Sequence, residues 1–195
     1  FEFRSTDSPF DRYLRGEEDA LTDAQMRGME LFYGDAGCSA CHSGTFQTDH
    51  DFHSIGMPQF GPGKGPKHAE YADIGLGAVT GDPADFYKFR TPSLRNVTLT
   101  EPYGHTGAFA TLEATIRHHL DPEASLRAYD RETARLHGVE TDHADFDALD
   151  DPEEIDRIAA AIEIALPPRT DAEIADLVAF LGALEDPVAK AGRLG

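Results

Sequence analysis

Two cysteines and a histidine lie close together in residues 38–42, which read Cys-Ser-Ala-Cys-His. The thiols of Cys38 and Cys41 are one helical turn apart, and His42 follows directly. This order is the attachment pattern of c-type haem, in which both thiols form thioethers with the porphyrin and the histidine binds the iron. We therefore predict one covalently attached haem, with His42 as the proximal iron ligand.

A redox dithiol or half of a zinc site is the alternative interpretation of this spacing. A zinc site needs further cysteines or paired histidines downstream, and the sequence has only 2 Cys. A thioredoxin-like motif lies in a βαβ unit, and no Val- and Ile-rich run typical of a strand is found nearby. Since covalent haem attachment takes place outside the cytoplasm, the haem interpretation predicts a periplasmic protein.

Two helices are predicted to position this motif. LTDAQMRGMELF precedes it, and TDAEIADLVAFLGALED near the C-terminus has apolar residues at helical spacing. Thr22 and Gln25 fit a capping box at the first helix. Thr170 and Glu173 fit one at the second. Because small c-type cytochromes cross two such helices at one haem edge, we predict an all-α, cytochrome c-like haem domain over residues 21–195.

The rest of the chain is predicted to be largely irregular. Residues 1–20 are polar and predict a linker or arm from a preceding domain. The Gly- and Pro-rich residues 43–92 lack periodicity and predict long loops around the haem. Residues 121–168 are an acidic insert with a helical stripe, which two prolines are expected to end. The stripe consists of Ile155, Ile158, Ala159, Ile162 and Leu166.

The chain is strongly acidic, with 17 Lys and Arg against 36 Asp and Glu, a net charge of −19. This charge argues against binding to nucleic acid or anionic membranes. It favours a small basic redox protein as electron donor, with solubility or adaptation to salt as the alternative interpretation. No run approaches the roughly 18 apolar residues of a membrane span. Because Phe1 replaces an initiator Met and no signal-peptide pattern follows, we expect a processed or truncated chain.

A histidine of TLEATIRHHL is the predicted sixth ligand of the iron. On a helix that begins near Thr111, His119 lies on the apolar face. The other members of that face are Leu112, Ile116 and Leu120. His118 lies on the flank, where we expect it to reach water. Met57, in the loop SIGMPQ, is the alternative iron ligand, or else a packing residue.

Three blocks of the sequence carry a resemblance to a known family. They are SPFDRYLRGEEDALTDAQMRGMELF with GCSACHSGTFQTDHDFHSIGMP, then FRTPSLRNVTLTEPYGHTGAFATLEATI, then the closing helix. Together they resemble the C-terminal haem domain of bacterial di-haem cytochrome c peroxidases and MauG. The resemblance implies a six-coordinate haem that relays electrons to or from a peroxide-reactive haem in a second domain or subunit. Peroxidase activity is then expected of the parent assembly, and electron transfer of this chain.

The resemblance also implies further site residues. Thr100 and Pro102 match positions whose backbone carbonyls help bind calcium, for which oxygen ligands are suited. Arg90 and Arg95 match residues near the haem propionates, with a solvated surface charge as the alternative for each. His105 matches a histidine packed near the haem edge, and a hydrogen-bonded structural histidine is its alternative.

Two departures from the family pattern affect these expectations. His119 stands where the family has a distal Met or, in MauG, Tyr, so the resemblance implies a bis-histidine haem with a lowered potential. Thr106 stands where the family motif has Asp, so the hydrogen bond of that Asp is missing or replaced. Two other function classes remain open, namely a stand-alone mono-haem electron carrier and a five-coordinate haem sensor or binding module.

Overall fold

The computed structural model describes residues 7–61, 72–134 and 144–192. Helices dominate the described residues, which confirms the predicted all-α class. The α-helices are α1 (Pro9–Leu14), α2 (Asp23–Tyr33), α3 (Gly77–Thr80), α4 (Leu112–Leu120), α5 (Pro122–Arg127), α6 (Asp147–Asp150), α7 (Pro152–Ala160), α8 (Asp171–Gly182) and α9 (Pro187–Lys190). The short strands β1 (Phe52–His53) and β2 (Phe89–Arg90) pair antiparallel, with Phe52 opposite Arg90. None of the helices in these residues is long and apolar enough to cross a membrane.

The chain divides into two compact units. The first consists of Phe1–Asp51, Thr91–Glu101 and Pro167–Gly195. The second consists of Phe52–Arg90 and Pro102–Leu166. The haem-attachment motif belongs to the first unit, and the predicted sixth ligand belongs to the second.

The core of the first unit is the packing of α2 against α8. A Cβ atom at Gly28 would lie 1.9 Å from the backbone oxygen of Asp176, so this close approach requires glycine. Phe180 of α8 is fully buried, and its ring centroid is 5.1 Å from that of Phe32 and 5.3 Å from that of Phe10. Both predicted capping boxes are confirmed, at the N-terminus of each helix. These contacts hold the helix that leads directly into the cysteine motif.

Residues from the predicted N-terminal arm contribute to this core. Ser8 and Asp11 form a capping box that starts α1. Phe10 is buried, and its backbone N–H donates to the carbonyl of Ala183 at 3.0 Å. The described part of the arm therefore packs within the first unit. The division into an arm over 1–20 and a domain over 21–195 stays a prediction.

The second unit is built around the acidic insert. Tyr87, Leu126 and Ile158 form its buried apolar cluster. Glu154 of α7 is only 1% exposed, and it accepts a hydrogen bond from the hydroxyl of Tyr87 at 2.9 Å and one from Arg157 Nε at 2.8 Å. A buried carboxylate costs free energy unless it is paired, and these two donors satisfy it.

The insert helix is shorter than its apolar stripe predicts. Helix α7 ends at Ala160, so the prediction that it continues through Ile162 to Leu166 is wrong. The backbone N–H of Glu163 donates to the carbonyl of Ser54 at 3.0 Å instead of continuing the helix. Its side chain accepts from the Ser54 N–H at 3.2 Å and pairs with Lys88 at 2.8 Å. These contacts with residues distant in the sequence stabilise a non-helical backbone at Glu163.

Candidate haem site

The cysteine motif forms a single tight turn. Gly37 has a left-handed φ of 74°, and a 3₁₀ turn follows at Cys38–Ala40. The backbone N–H of His42 donates to the carbonyl of Cys38 at 3.0 Å. This turn holds both thiols and the imidazole within five consecutive residues, as covalent haem attachment requires.

The two cysteines are thiols rather than a disulfide. Burial raises the pKa of the Cys38 thiol to about 11. Redox-active dithiols depend on a lowered pKa, because the thiolate is the nucleophile. The environment of Cys38 therefore disfavours the dithiol alternative.

A hydrogen bond to the chain downstream of the motif orients the imidazole of His42. Its Nδ1 lies 3.2 Å from the backbone carbonyl oxygen of Gln47. A carbonyl only accepts, so Nδ1 carries the proton and Nε2 carries the lone pair. Histidines that bind metals are commonly oriented in this way through their other ring nitrogen. The residues present therefore fit a c-type haem, with Cys38 and Cys41 for the thioethers and His42 for the iron.

The carbonyl that orients His42 belongs to a strained and buried residue. Gln47 is 2% exposed and has a positive φ of 52°, which is uncommon for a residue other than glycine. Its side-chain Nε2 donates to the carbonyl of Gly44 at 2.8 Å, and its Oε1 accepts from the hydroxyl of Tyr33 at 2.6 Å. Burial raises the pKa of Tyr33, so this hydroxyl stays protonated and donates at neutral pH.

Arg95 supports the loop that follows the motif. Its Nε donates to the carbonyl of Thr45 at 2.9 Å, and its guanidinium pairs with Asp11 of α1 at 2.9 Å. Both side chains of this ion pair are largely buried. Arg95, Asp11, Tyr33 and Gln47 all line an open cavity of about 840 Å³. The role of Arg95 near a propionate stays a prediction.

His119 in the second unit has the local geometry of a ligand. Its Nδ1 donates to the carbonyl of Thr115, one turn earlier in α4, at 2.8 Å. This bond places the lone pair on Nε2, as for His42. Burial lowers the pKa of His119, which keeps the imidazole neutral and able to bind a metal. Its place as the sixth ligand stays a prediction.

His118 is not a flank residue that reaches water, and that expectation is wrong. It is 0% exposed, with Nε2 donating to the carbonyl of Ile55 at 2.8 Å and Nδ1 accepting from the hydroxyl of Ser125 at 3.0 Å. Burial lowers its pKa to about 4. With both ring nitrogens hydrogen-bonded, His118 is a structural histidine that joins α4 to the loop at 54–58 and to α5.

Met57 and His105 have contacts that favour their structural alternatives. The buried sulfur of Met57 lies 2.9 Å from the position that a Cβ at Gly104 would take, so the thioether packs on that glycine. His105 stacks on Phe89 with ring centroids 4.0 Å apart, and its Nε2 lies 3.0 Å from Asp73 Oδ2. An iron-binding role for Met57 and a haem-edge role for His105 stay predictions.

The remaining predicted residues lie in irregular segments. The hydroxyl of Thr106 donates to the carbonyl of Pro58 at 3.0 Å, and whether this replaces the hydrogen bond of the family aspartate stays a prediction. Arg90 is exposed in β2. Thr100 is exposed, and its hydroxyl donates to the carbonyl of Val97. Calcium binding by the carbonyls of Thr100 and Pro102 stays a prediction.

The chain is similar in sequence and in structure to several known proteins. No model of a known protein family matches the sequence. An alignment over 128 residues, covering 55% of the chain, is 39% identical to the cytochrome-c peroxidase IdrP1 of Pseudomonas sp. (strain SCT). The crystal structure of a MauG-like protein associated with microbial copper homeostasis matches 94% of the chain at 32% identity with a TM-score of 0.65. The diheme peroxidase BthA from Burkholderia thailandensis E264 matches 93% of the chain at 25% identity with a TM-score of 0.66.

The chain is therefore similar to di-haem cytochrome c peroxidases and to MauG-like proteins. This confirms the resemblance drawn from the sequence blocks and the cytochrome c-like haem fold. The chain spans only part of its relatives, namely 34% of the length of IdrP1, 53% of the MauG-like protein and 47% of BthA.

At the candidate haem site, the structure adds residues that the sequence does not reveal. Gln47 and Thr115 orient His42 and His119 through backbone carbonyls, which leave no signal in residue type. Tyr33 and Asp11 act on the same loop from helices that were predicted only as packing or linker elements. Positive φ at a residue other than glycine is the structural sign that marks Gln47.

Proposed function

We propose that this chain is an electron-transfer domain with one covalently attached c-type haem. It passes electrons to or from a second, peroxide-reactive haem that lies outside the chain. The observation that carries the proposal is the orientation of His42, whose Nδ1 donates to the Gln47 carbonyl beside the two thiols. Similarity to di-haem peroxidases supports the di-haem assembly, since 47% of the length of the diheme peroxidase BthA is covered.

When bound, the haem supplies a one-electron redox couple. The residues of the chain hold it and set its properties. Cys38 and Cys41 provide the thioether links, and His42 provides a neutral imidazole of fixed tautomer. His119 is proposed as the sixth ligand, because its Nδ1 donates to the Thr115 carbonyl and its Nε2 therefore carries the lone pair. With both axial positions filled, such a site binds no peroxide and serves electron transfer.

The proposed partners follow from charge and from the haem chemistry. A net charge of −19 favours a basic redox protein as electron donor, because complementary charge speeds diffusional encounter. The second partner is a haem domain or subunit that reacts with peroxide. Covalent haem attachment supports a periplasmic location.

The isolated, haem-loaded chain is expected to turn over hydrogen peroxide slowly and to bind no CO after reduction. The reason is that two histidine ligands leave the iron without an open position. Stopped-flow absorbance with peroxide, and CO titration of the reduced protein, measure these properties. The His119→Ala variant serves as the open-site control and is expected to bind CO. Robust peroxide turnover with rapid CO binding by the unmodified chain would refute the relay function and favour the five-coordinate binding module.

A further inference from the structure

We propose that Tyr33 and Gln47 are positioning residues. They hold the backbone carbonyl of Gln47 in its hydrogen bond with His42 and thereby lower the reduction potential of the haem iron. The inference rests on the proposed haem domain and deepens it. It concerns residues that do not touch the iron and act only through the proximal histidine.

Hydrogen bonds connect Tyr33, Gln47 and His42, through the side chain of Gln47 on one side and its backbone carbonyl on the other. The hydroxyl of Tyr33 donates to Gln47 Oε1 at 2.6 Å, and the carbonyl of Gln47 accepts from His42 Nδ1 at 3.2 Å. Gln47 Nε2 donates to the Gly44 carbonyl at 2.8 Å, and so does the backbone N–H of Gln47 at 3.1 Å. Both atoms of the Gln47 side-chain amide and its backbone N–H are therefore held, which restrains the backbone carbonyl that faces the imidazole.

The backbone of Gln47 needs this restraint. Its φ of 52° lies in the left-handed region, where a residue with a long side chain is rarely found. Such conformations cost roughly 1–3 kcal/mol and persist where the surrounding contacts determine them. The bond from Tyr33 is one of those contacts, because it anchors the buried amide from a helix outside the loop.

A carbonyl that is held in its hydrogen bond with His42 changes the basicity of the imidazole. Accepting the Nδ1 proton makes Nε2 a more basic donor, and a more basic ligand favours ferric over ferrous iron. Weakening the hold on the carbonyl is therefore expected to raise the potential. Tyr33 lines the 840 Å³ cavity, and Tyr33→Phe keeps the ring that packs on Phe10, Phe32 and Phe180.

The Tyr33→Phe variant of the haem-loaded chain tests the proposal, because it keeps the ring and removes only the hydroxyl. We expect the potential to rise, with the ferrous-to-ferric ratio at fixed applied potential increasing about threefold, which equals about 28 mV at 59 mV per tenfold change. Gln47→Gly, which tolerates the positive φ, should shift the potential in the same direction. Spectroelectrochemical titration measures both shifts.

The control is Tyr13→Phe, which removes a hydroxyl from another tyrosine that lines the same cavity. Adding Tyr33→Phe to Gln47→Gly should raise the potential no further, because both changes act through the hydrogen bond between Gln47 and His42. Equal potentials for Tyr33→Phe and Tyr13→Phe, or additive shifts in the double variant, would overturn the proposal. Absence of covalent haem would instead remove the proposed function, and this inference with it.

Discussion

Replacing His119 with alanine is expected to convert a low-spin ferric spectrum into a high-spin one and to let the reduced protein bind CO. The reason is the removal of the sixth ligand from the iron. His119 has the geometry for that role, since its Nδ1 is bonded to the Thr115 carbonyl and its Nε2 keeps the lone pair. Absorbance and electron paramagnetic resonance spectra of the purified variant measure the change.

The neighbouring histidine supplies a matched control. His118→Ala should remain low-spin, because both ring nitrogens of His118 are engaged in hydrogen bonds, with Ser125 and Ile55, and neither binds the iron. Its effect is expected on stability, through the loss of two buried hydrogen bonds. Met57→Ala tests the alternative ligand and should also remain low-spin. Loss of the sixth ligand in Met57→Ala, with its retention in His119→Ala, would show that the assignment is wrong.

Phe180→Ala is expected to lower the free energy of unfolding by about 3–5 kcal/mol, the usual cost of removing a fully buried phenyl ring. Phe180 lies at the centre of the first unit, where it contacts Phe10, Phe32 and Tyr33. Since domains are stable by only about 5–15 kcal/mol, this variant should be close to unfolding at room temperature. Urea unfolding of the haem-loaded protein, followed by circular dichroism, measures the loss.

Phe46→Ala provides the comparison for a ring of the same size. Phe46 is 49% exposed, so its truncation should change the free energy of unfolding by less than about 0.5 kcal/mol. If the two variants unfold at the same urea concentration, the packing of α2 against α8 around Phe180 is not the main source of stability in this unit.

The features that the sequence predicts well are local ones. The Cys-Ser-Ala-Cys-His run supplies both thiols and the imidazole within five consecutive residues. The capping boxes at Thr22 and Thr170 involve residues only three positions apart. The helix at α4 is similarly visible from its periodicity and from Thr111 at its N-cap. Each of these predictions needs no knowledge of distant contacts.

The features that the sequence misses depend on partners far along the chain. His118 is buried because its Nε2 donates a hydrogen bond to the backbone carbonyl of Ile55, which is 63 residues away in sequence. Helix α7 ends early because Glu163 bonds to Ser54, which is 109 residues distant. The role of Gln47 was missed for a different reason, since a backbone carbonyl has the same chemistry in every residue.

In the proposed haem site, Cys38 and Cys41 attach a haem whose iron is bound by His42. Acid–acetone extraction of the denatured protein, followed by intact-mass analysis, tests it most directly. We predict that the haem stays with the polypeptide, adding the mass of one haem, and that a Cys38→Ser, Cys41→Ser double variant releases it. Extraction of all haem from the unmodified chain, or an intact mass equal to that of the bare polypeptide, would contradict the account.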